Sequence, residues 1–223
     1  RFIMALHFTN EEFGTRMDRL RERMREEGFD AMLLFSQESM YWLTGYDTFG
    51  YCFFQCLAVT ANGEMVLLTR APDLRQARHT SIIGNIRIWR DHGEARPADD
   101  LRAVLEDMGL SGKTLGVEYD TVGLTAANGK AVDLALQGFA GLKDASQLIN
   151  MLRVIKSPAE LDYVRRAGQL ADEALDAAIT GTRAGADEGD ILAAMHEPIF
   201  AGGGDYPGNE FIIGSDAEAL LCR

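Results

Sequence analysis

"SPAELDYVRRAGQLADEALDAAITG" occupies residues 157–181, and its reading decides how the chain is divided. Ser157 stands as an N-cap, Pro158 as the first helical residue, and Glu160 as the acidic partner of a capping box. Leu161, Val164, Gly168, Ala171, Leu175 and Ala178 form a narrow apolar stripe, and its small residues predict close packing. Upstream of this helix, strand and helix patterns alternate. Downstream come a second helix from about Asp187 to Ala201, the loop "GGGDYPGN", and two apolar runs, "EFIIGS" and "ALLCR", that read as strands. The division is therefore placed at about Met151, giving domains 1–150 and 151–223.

The upstream pattern begins with an amphipathic helix over 10–27, carrying Phe13, Met17, Leu20 and Met24 on one face. Thr9 and Glu12 form its capping box and Gly28 its stop. "DAMLLF" (30–35) reads as a strand. "CFFQCLAVT" (52–60) and "EMVLLT" (64–69) read as a hairpin across Asn62-Gly63. "IRIW" (86–89) and "TLGVE" (114–118) complete the strand set. Helices are expected from Pro97 to the stop at Gly109, over 124–137, and from about Ser146. This order predicts an α/β fold: a three-layer α/β/α domain built on a mixed sheet. The remaining stretch of about 70 residues makes a poor core alone. A strand ending without its partner would leave an open edge. The second domain is expected to be an incomplete α+β unit.

Composition excludes several function classes. The 223 residues carry a net charge of −12, with 47% apolar and 25% charged residues, as in ordinary globular proteins. No basic patch suits a nucleic acid, no apolar run is long enough for a membrane helix, and no secretory pattern opens the chain. The Arg-rich stretch "RMDRLRERMREE" (16–27) is interleaved with Asp18, Glu22, Glu26 and Glu27 and reads as a solvated helix face. Cys52, Cys56 and Cys222 are too few for a disulfide framework and fit a reducing cytoplasm. Cys52 and Cys56 lack the further ligands a zinc site needs, and as members of one strand both are expected to be buried. His7, His79, His92 and His196 form no ligand pair. There is no G-x-S-x-G nucleophile turn, and Gly202–Gly204 follow a helix rather than open one. No metal ligand is assigned, and the residues by themselves give no complete active site. One stretch stands out: "TGYDTFGY" (44–51), a Gly-hinged aromatic turn leading into an apolar strand, the kind of place where binding groups are presented.

Three ordered segments carry a family resemblance. "LRVIKSPAELDYVRRAGQLADEAL" (152–175), through Arg153, Ile155, Lys156, Ser157, Glu160 and Ala167, resembles the domain junction of the creatinase/prolidase/aminopeptidase P family. "TGY" is similar to that family's "YLTGY"-type turn, and "NEFIIGSDAEALLCR" (209–223) resembles the first strands of its pita-bread catalytic domain. The resemblance implies a metal-dependent hydrolase cleaving Xaa-Pro bonds, with two divalent ions, manganese or cobalt, held by Asp, His and Glu. Those ligands are expected beyond Arg223, so this stretch alone is expected to be inactive. The family also contains creatinase, which cleaves a C–N bond without metal. Where peptidases of the family commonly place a substrate-contacting His, this sequence has Leu221, Cys222 and Arg223. That departure brings in a creatine-like or ectoine-like small amide or guanidino substrate as the alternative. In dimeric relatives the turn matching this one reaches into the partner's active site. Carried over, Tyr46, Asp47, Thr48, Phe49 and Tyr51 become substrate-binding candidates in a homodimer, with Phe211 lining the same pocket. A non-catalytic dimerisation module is the reading from a different class.

Overall fold

The computed structural model describes residues 6–209 and 211–215. The chain forms two compact units, Arg1–Ile155 and Lys156–Arg223.

The first unit opens with α1 (Asn10–Glu27). The Thr9 hydroxyl accepts the Glu12 N–H at 3.2 Å, and Gly28, with φ of 72°, closes the helix on the Met24 and Arg25 carbonyls. Then come β1 (Ala31–Leu34), α2 (Gln37–Thr44), a 3-10 turn (Phe49–Cys52), β2 (Cys56–Thr60) and β3 (Met65–Arg70). They are followed by α3 (Leu74–Thr80), β4 (Ile86–Trp89), α4 (Pro97–Asp107), β5 (Thr114–Val117), α5 (Ala126–Leu136), β6 (Gly141–Asp144) and α6 (Leu148–Val154).

The six strands make one mixed sheet in the order β4-β3-β2-β1-β5-β6. β2 is antiparallel to both of its neighbours, and every other pairing is parallel. Residues therefore alternate between two cores. Leu33, Cys56, Ala58, Val66 and Leu68 face α4 and α5, packing with Leu101, Leu105, Val132 and Leu136. Met32, Leu34, Leu57, Val59 and Leu67 face α1, α2 and α6, packing with Leu20, Met24, Leu43 and Ile149. The fold is the three-layer α/β/α arrangement on a mixed sheet. The carboxyl ends of the five like-directed strands and the start of β2 share one edge.

Several details differ from the sequence reading. The second strand starts at Cys56. Cys52 lies in the 3-10 turn and is exposed, while Cys56 is buried. Position 52 falls before the ladder begins, so the two cysteines do not share a strand face. α2, α3 and β6 carry no clear periodic stripe and were not expected. Arg16 also leaves the solvated face of α1. It is buried, donates from Nη1 to the Trp42 carbonyl at 2.6 Å, and lies 4.0 Å from the Phe8 ring centre.

In the second unit, α7 (Pro158–Gly181) starts at the expected capping box, both arms of which form between Ser157 and Glu160. α8 (Glu188–Ala201) packs back on it. The packed side is not the predicted stripe. Leu161, Val164 and Leu175 are exposed, whereas Ala174 is buried and Gly181 meets Ile191. Small side chains at Ala174 and Gly181 let α8 approach here, with Leu170 of α7 packed against Gly202 and Gly204. Residues 211–215 take no strand pairing. Glu210 and the run "ALLCR", with Cys222, lie outside the described residues.

Candidate functional site

The aromatic turn is assembled from the exit of α2. Gly45 ends that helix at φ 79°, and a Cβ there would lie 2.8 Å from the Thr80 carbonyl oxygen. Only glycine supplies both the left-handed conformation and the clearance. The chain then turns inward at Tyr46, which is 0% exposed. Its hydroxyl donates to Gln55 Oε1 at 3.0 Å and lies 3.3 Å from Thr69 Oγ1. Burial raises the Tyr46 pKa, so the phenol stays protonated. Gln37, the first residue of α2, donates from Nε2 to the Tyr46 carbonyl at 2.8 Å and accepts from Gln55 Nε2 at 3.0 Å.

The next residues turn outward on a fixed base. The Asp47 N–H donates to Thr80 Oγ1 at 3.0 Å. The buried Thr48 hydroxyl donates to Asp73 Oδ1 at 3.0 Å and accepts the Gly50 N–H at 2.8 Å. Asp73 lies so close that a Cβ on Gly50 would fall 2.4 Å from its Oδ1. Arg70 reaches Asp73 at 3.4 Å and Asp91 at 3.3 Å, and its guanidinium carbon sits 3.3 Å from the Phe53 ring centre. At the far end, Trp89 Nε1 donates to the Phe54 carbonyl at 3.0 Å. On this base Phe49 is 81% exposed and Tyr51 41%, with their rings edge to face at 6.2 Å.

The structure thus sorts the sequence candidates. Asp47, Phe49 and Tyr51 are displayed at the surface of the first unit. Tyr46 and Thr48 are buried beneath them. Phe211 belongs to the second unit, where its ring lies 4.8 Å from that of His196.

Sequence reasoning missed Glu118, just past the end of β5. It is 2% exposed. Its Oε2 accepts the Phe35 and Ser36 N–H groups, each at 3.0 Å, and its Oε1 accepts the Ser39 hydroxyl at 2.5 Å. Burial lifts its pKa to about 7, against the opposing pull of those three donors and of the Arg153 charge. Its charge also helps hold the buried Cys56 thiol well above the usual range, after burial itself.

Among the described residues, no group of three or more His, Cys, Asp or Glu side chains is placed to hold a metal ion. The described residues do not by themselves make the two-ion site of the resemblance. No described helix is long and apolar enough to cross a membrane.

The sequence pattern of the Creatinase/Prolidase N-terminal domain matches residues 16–155, the part that builds the sheet and the turn. The chain belongs to that family. Among its creatinase/prolidase relatives, an ectoine hydrolase from Halomonas elongata is 29% identical over 222 residues, covering 92% of this chain and 55% of that protein. A creatinase from a Bacillus species is 29% identical over 192 residues, covering 85% of this chain and 44% of that one. The solved Xaa-Pro dipeptidase from Bacillus anthracis shares the fold with a TM-score of 0.67 at 21% identity, over 85% of this chain and 49% of that one. The chain spans about half the length of the curated relatives it matches. These creatinase/prolidase relatives are hydrolases and peptidases, and the chain covers the N-terminal part of its structural neighbours.

Proposed function

We propose that the chain is the N-terminal part of a homodimeric hydrolase that cleaves an amide-type C–N bond in a small substrate, and that its aromatic turn completes the active site of a second copy. The observation that carries this reading is the contrast between Tyr46 and Tyr51. Phe49 and Tyr51 stand exposed, yet the backbone beneath them is fixed by buried Tyr46, Thr48 and Asp73. Exposed apolar rings on a rigid base suit a binding contact, because the entropy cost of ordering them has already been met on folding. Asp47 adds a carboxylate beside them. Phe211 is the candidate contributed by the second unit.

The substrate class is proposed as a small non-peptide amide or guanidino compound, of the ectoine or creatine kind. The relatives named ectoine hydrolase and creatinase support it. So does the sequence at Leu221–Arg223, which lacks the His that the resemblance places in peptidases. An Xaa-Pro dipeptide is the second reading, supported by the fold shared with the Xaa-Pro dipeptidase. Two divalent ions, manganese or cobalt, belong with the peptidase reading.

The test uses the full-length protein, assayed with and without added manganese or cobalt against ectoine, creatine and Xaa-Pro dipeptides. Hydrolysis of ectoine or creatine supports the first reading, turnover of dipeptides alone supports the second, and no hydrolysis of any of them overturns both. The shared site is tested by mixing. A subunit lacking Phe49 and Tyr51 side chains is co-assembled with a subunit inactivated in its own catalytic residues. Recovered turnover in the mixed dimer supports a turn that acts across the interface, and none rejects it.

A further inference from the structure

Glu118 has a place in the fold that the proposed reaction does not use. Its carboxylate sits at the amino end of α2, where it accepts the N–H of the N-cap residue Ser36 and the N–H before it. The Ser36 side chain does not cap the helix and instead donates to Glu38 at 2.8 Å. One donor at this end, the Ser36 N–H, is therefore satisfied from outside the helix, by a residue just past β5. α2 is two turns long and leads straight into the aromatic turn. Its first residue, Gln37, bonds both the Tyr46 carbonyl and Gln55. One residue of helix thus links the Glu118 carboxylate to the base of the turn.

We propose that Glu118 is a positioning residue for the aromatic turn: through Ser36 and Gln37 it holds Tyr46 in place, so that ionisation of this one buried carboxyl loosens the segment carrying Phe49 and Tyr51. The inference rests on the proposed function only for its consequence at the substrate. Arg153 of α6 favours the charged form, the Cys56 thiol of β2 lies close enough to feel that charge, and Glu38 lies on α2 itself. Asp47 and Asp73 are the acidic groups at the turn. The sign follows from linkage. An opening that lifts α2 off Glu118 exposes the carboxyl to water, where it ionises more readily. The closed form is therefore favoured at low pH and loses ground as pH rises toward neutrality.

Hydrogen exchange of the full-length protein tests this, read on peptides covering α2 and residues 46–53 and corrected for the pH dependence of intrinsic exchange. From pH 5 to pH 7.5, corrected exchange in both segments is expected to rise by about tenfold or more, since each unit below the folded pKa is worth up to about tenfold. Glu118→Gln is expected to flatten that rise to within about twofold. Gln37→Ala is expected to leave the rise in α2 and remove it from 46–53, which a purely structural role for Glu118 would not produce. A flat wild-type profile overturns the proposal without any variant. So does a rise that survives Glu118→Gln, or a turn that still follows pH in Gln37→Ala. If the turn follows Glu118 while Phe49→Ala leaves full-length turnover unchanged, the proposed function fails and this inference stands.

Discussion

Replacing Glu118 by Gln should remove a pH dependence that the fold imposes on its own stability. An ordinary glutamate titrates near 4.5, whereas Glu118 does so at about 7 because burial penalises its charge. Below pH 4.5 the group is protonated in both folded and unfolded chains. Between 4.5 and 7 the unfolded chain gives up the proton while the folded chain keeps it, so stability falls as pH rises. Above 7 both are ionised and the loss is complete. At about 1.4 kcal/mol per pH unit, the full loss approaches roughly 3 kcal/mol, an upper figure because real interiors relax around a buried charge. Gln keeps the acceptor for the Phe35 and Ser36 N–H groups and cannot ionise. At pH 8 the variant is therefore expected to equal or exceed the wild type by up to about 3 kcal/mol, and at pH 5 the difference should shrink to within about 1 kcal/mol. Urea unfolding followed by tryptophan fluorescence gives the number, since Trp42 and Trp89 are both buried in the first unit. Other carboxylates also titrate. Asp144, held low by its bonds to Ser146, works in the opposite sense. The quantity to read is therefore the difference between the two proteins. A difference that does not change from pH 5 to pH 8 would refute the reasoning.

Gly50→Ala should push the Asp73 carboxylate off Thr48 and Arg70, because the new Cβ would sit 2.4 Å from Oδ1; a loss of about 1–3 kcal/mol in the same unfolding assay is expected. Phe49→Ala should leave stability within about 0.5 kcal/mol, as for other exposed positions, while lowering turnover of the full-length protein about tenfold or more. In a Cys222→Ser background, a thiol reagent should modify Cys52 in the native state and Cys56 only on unfolding; equal rates for the two would contradict the burial described.

What was legible in the sequence was whatever is decided locally. The caps of α1 and α7 depend on side chains three residues from their targets, and the β2–β3 hairpin on Asn62-Gly63. α2 was not legible although Ser36 and Gly45 frame it. Eight residues carry too little periodicity, and its amino end is satisfied by a carboxylate 82 residues away. β6 was missed for a related reason: an edge strand with exposed residues needs no apolar pattern. Arg16 reads as a surface charge and Glu118 only as the end of a strand, because their burial arises only when α1 packs on α2 and β5 pairs with β1. The aromatic turn was found through its unusual composition. Its division into a buried half and a displayed half needed the tertiary bonds of Tyr46, Thr48 and Asp73.

The reversed direction of β2 has a consequence for how such proteins diversify. In an all-parallel sheet, the segment after β1 must cross to the opposite edge before the next strand can begin. Here β2 begins at the edge where β1 ends, so the connection between them never crosses the sheet. It is left as a tip, anchored at Tyr46, Thr48 and Phe54, with Phe49 and Tyr51 displayed between those anchors. A tip of this kind can exchange its rings, shorten or lengthen without shifting the register of any strand. Recognition can then drift while the scaffold stays constant.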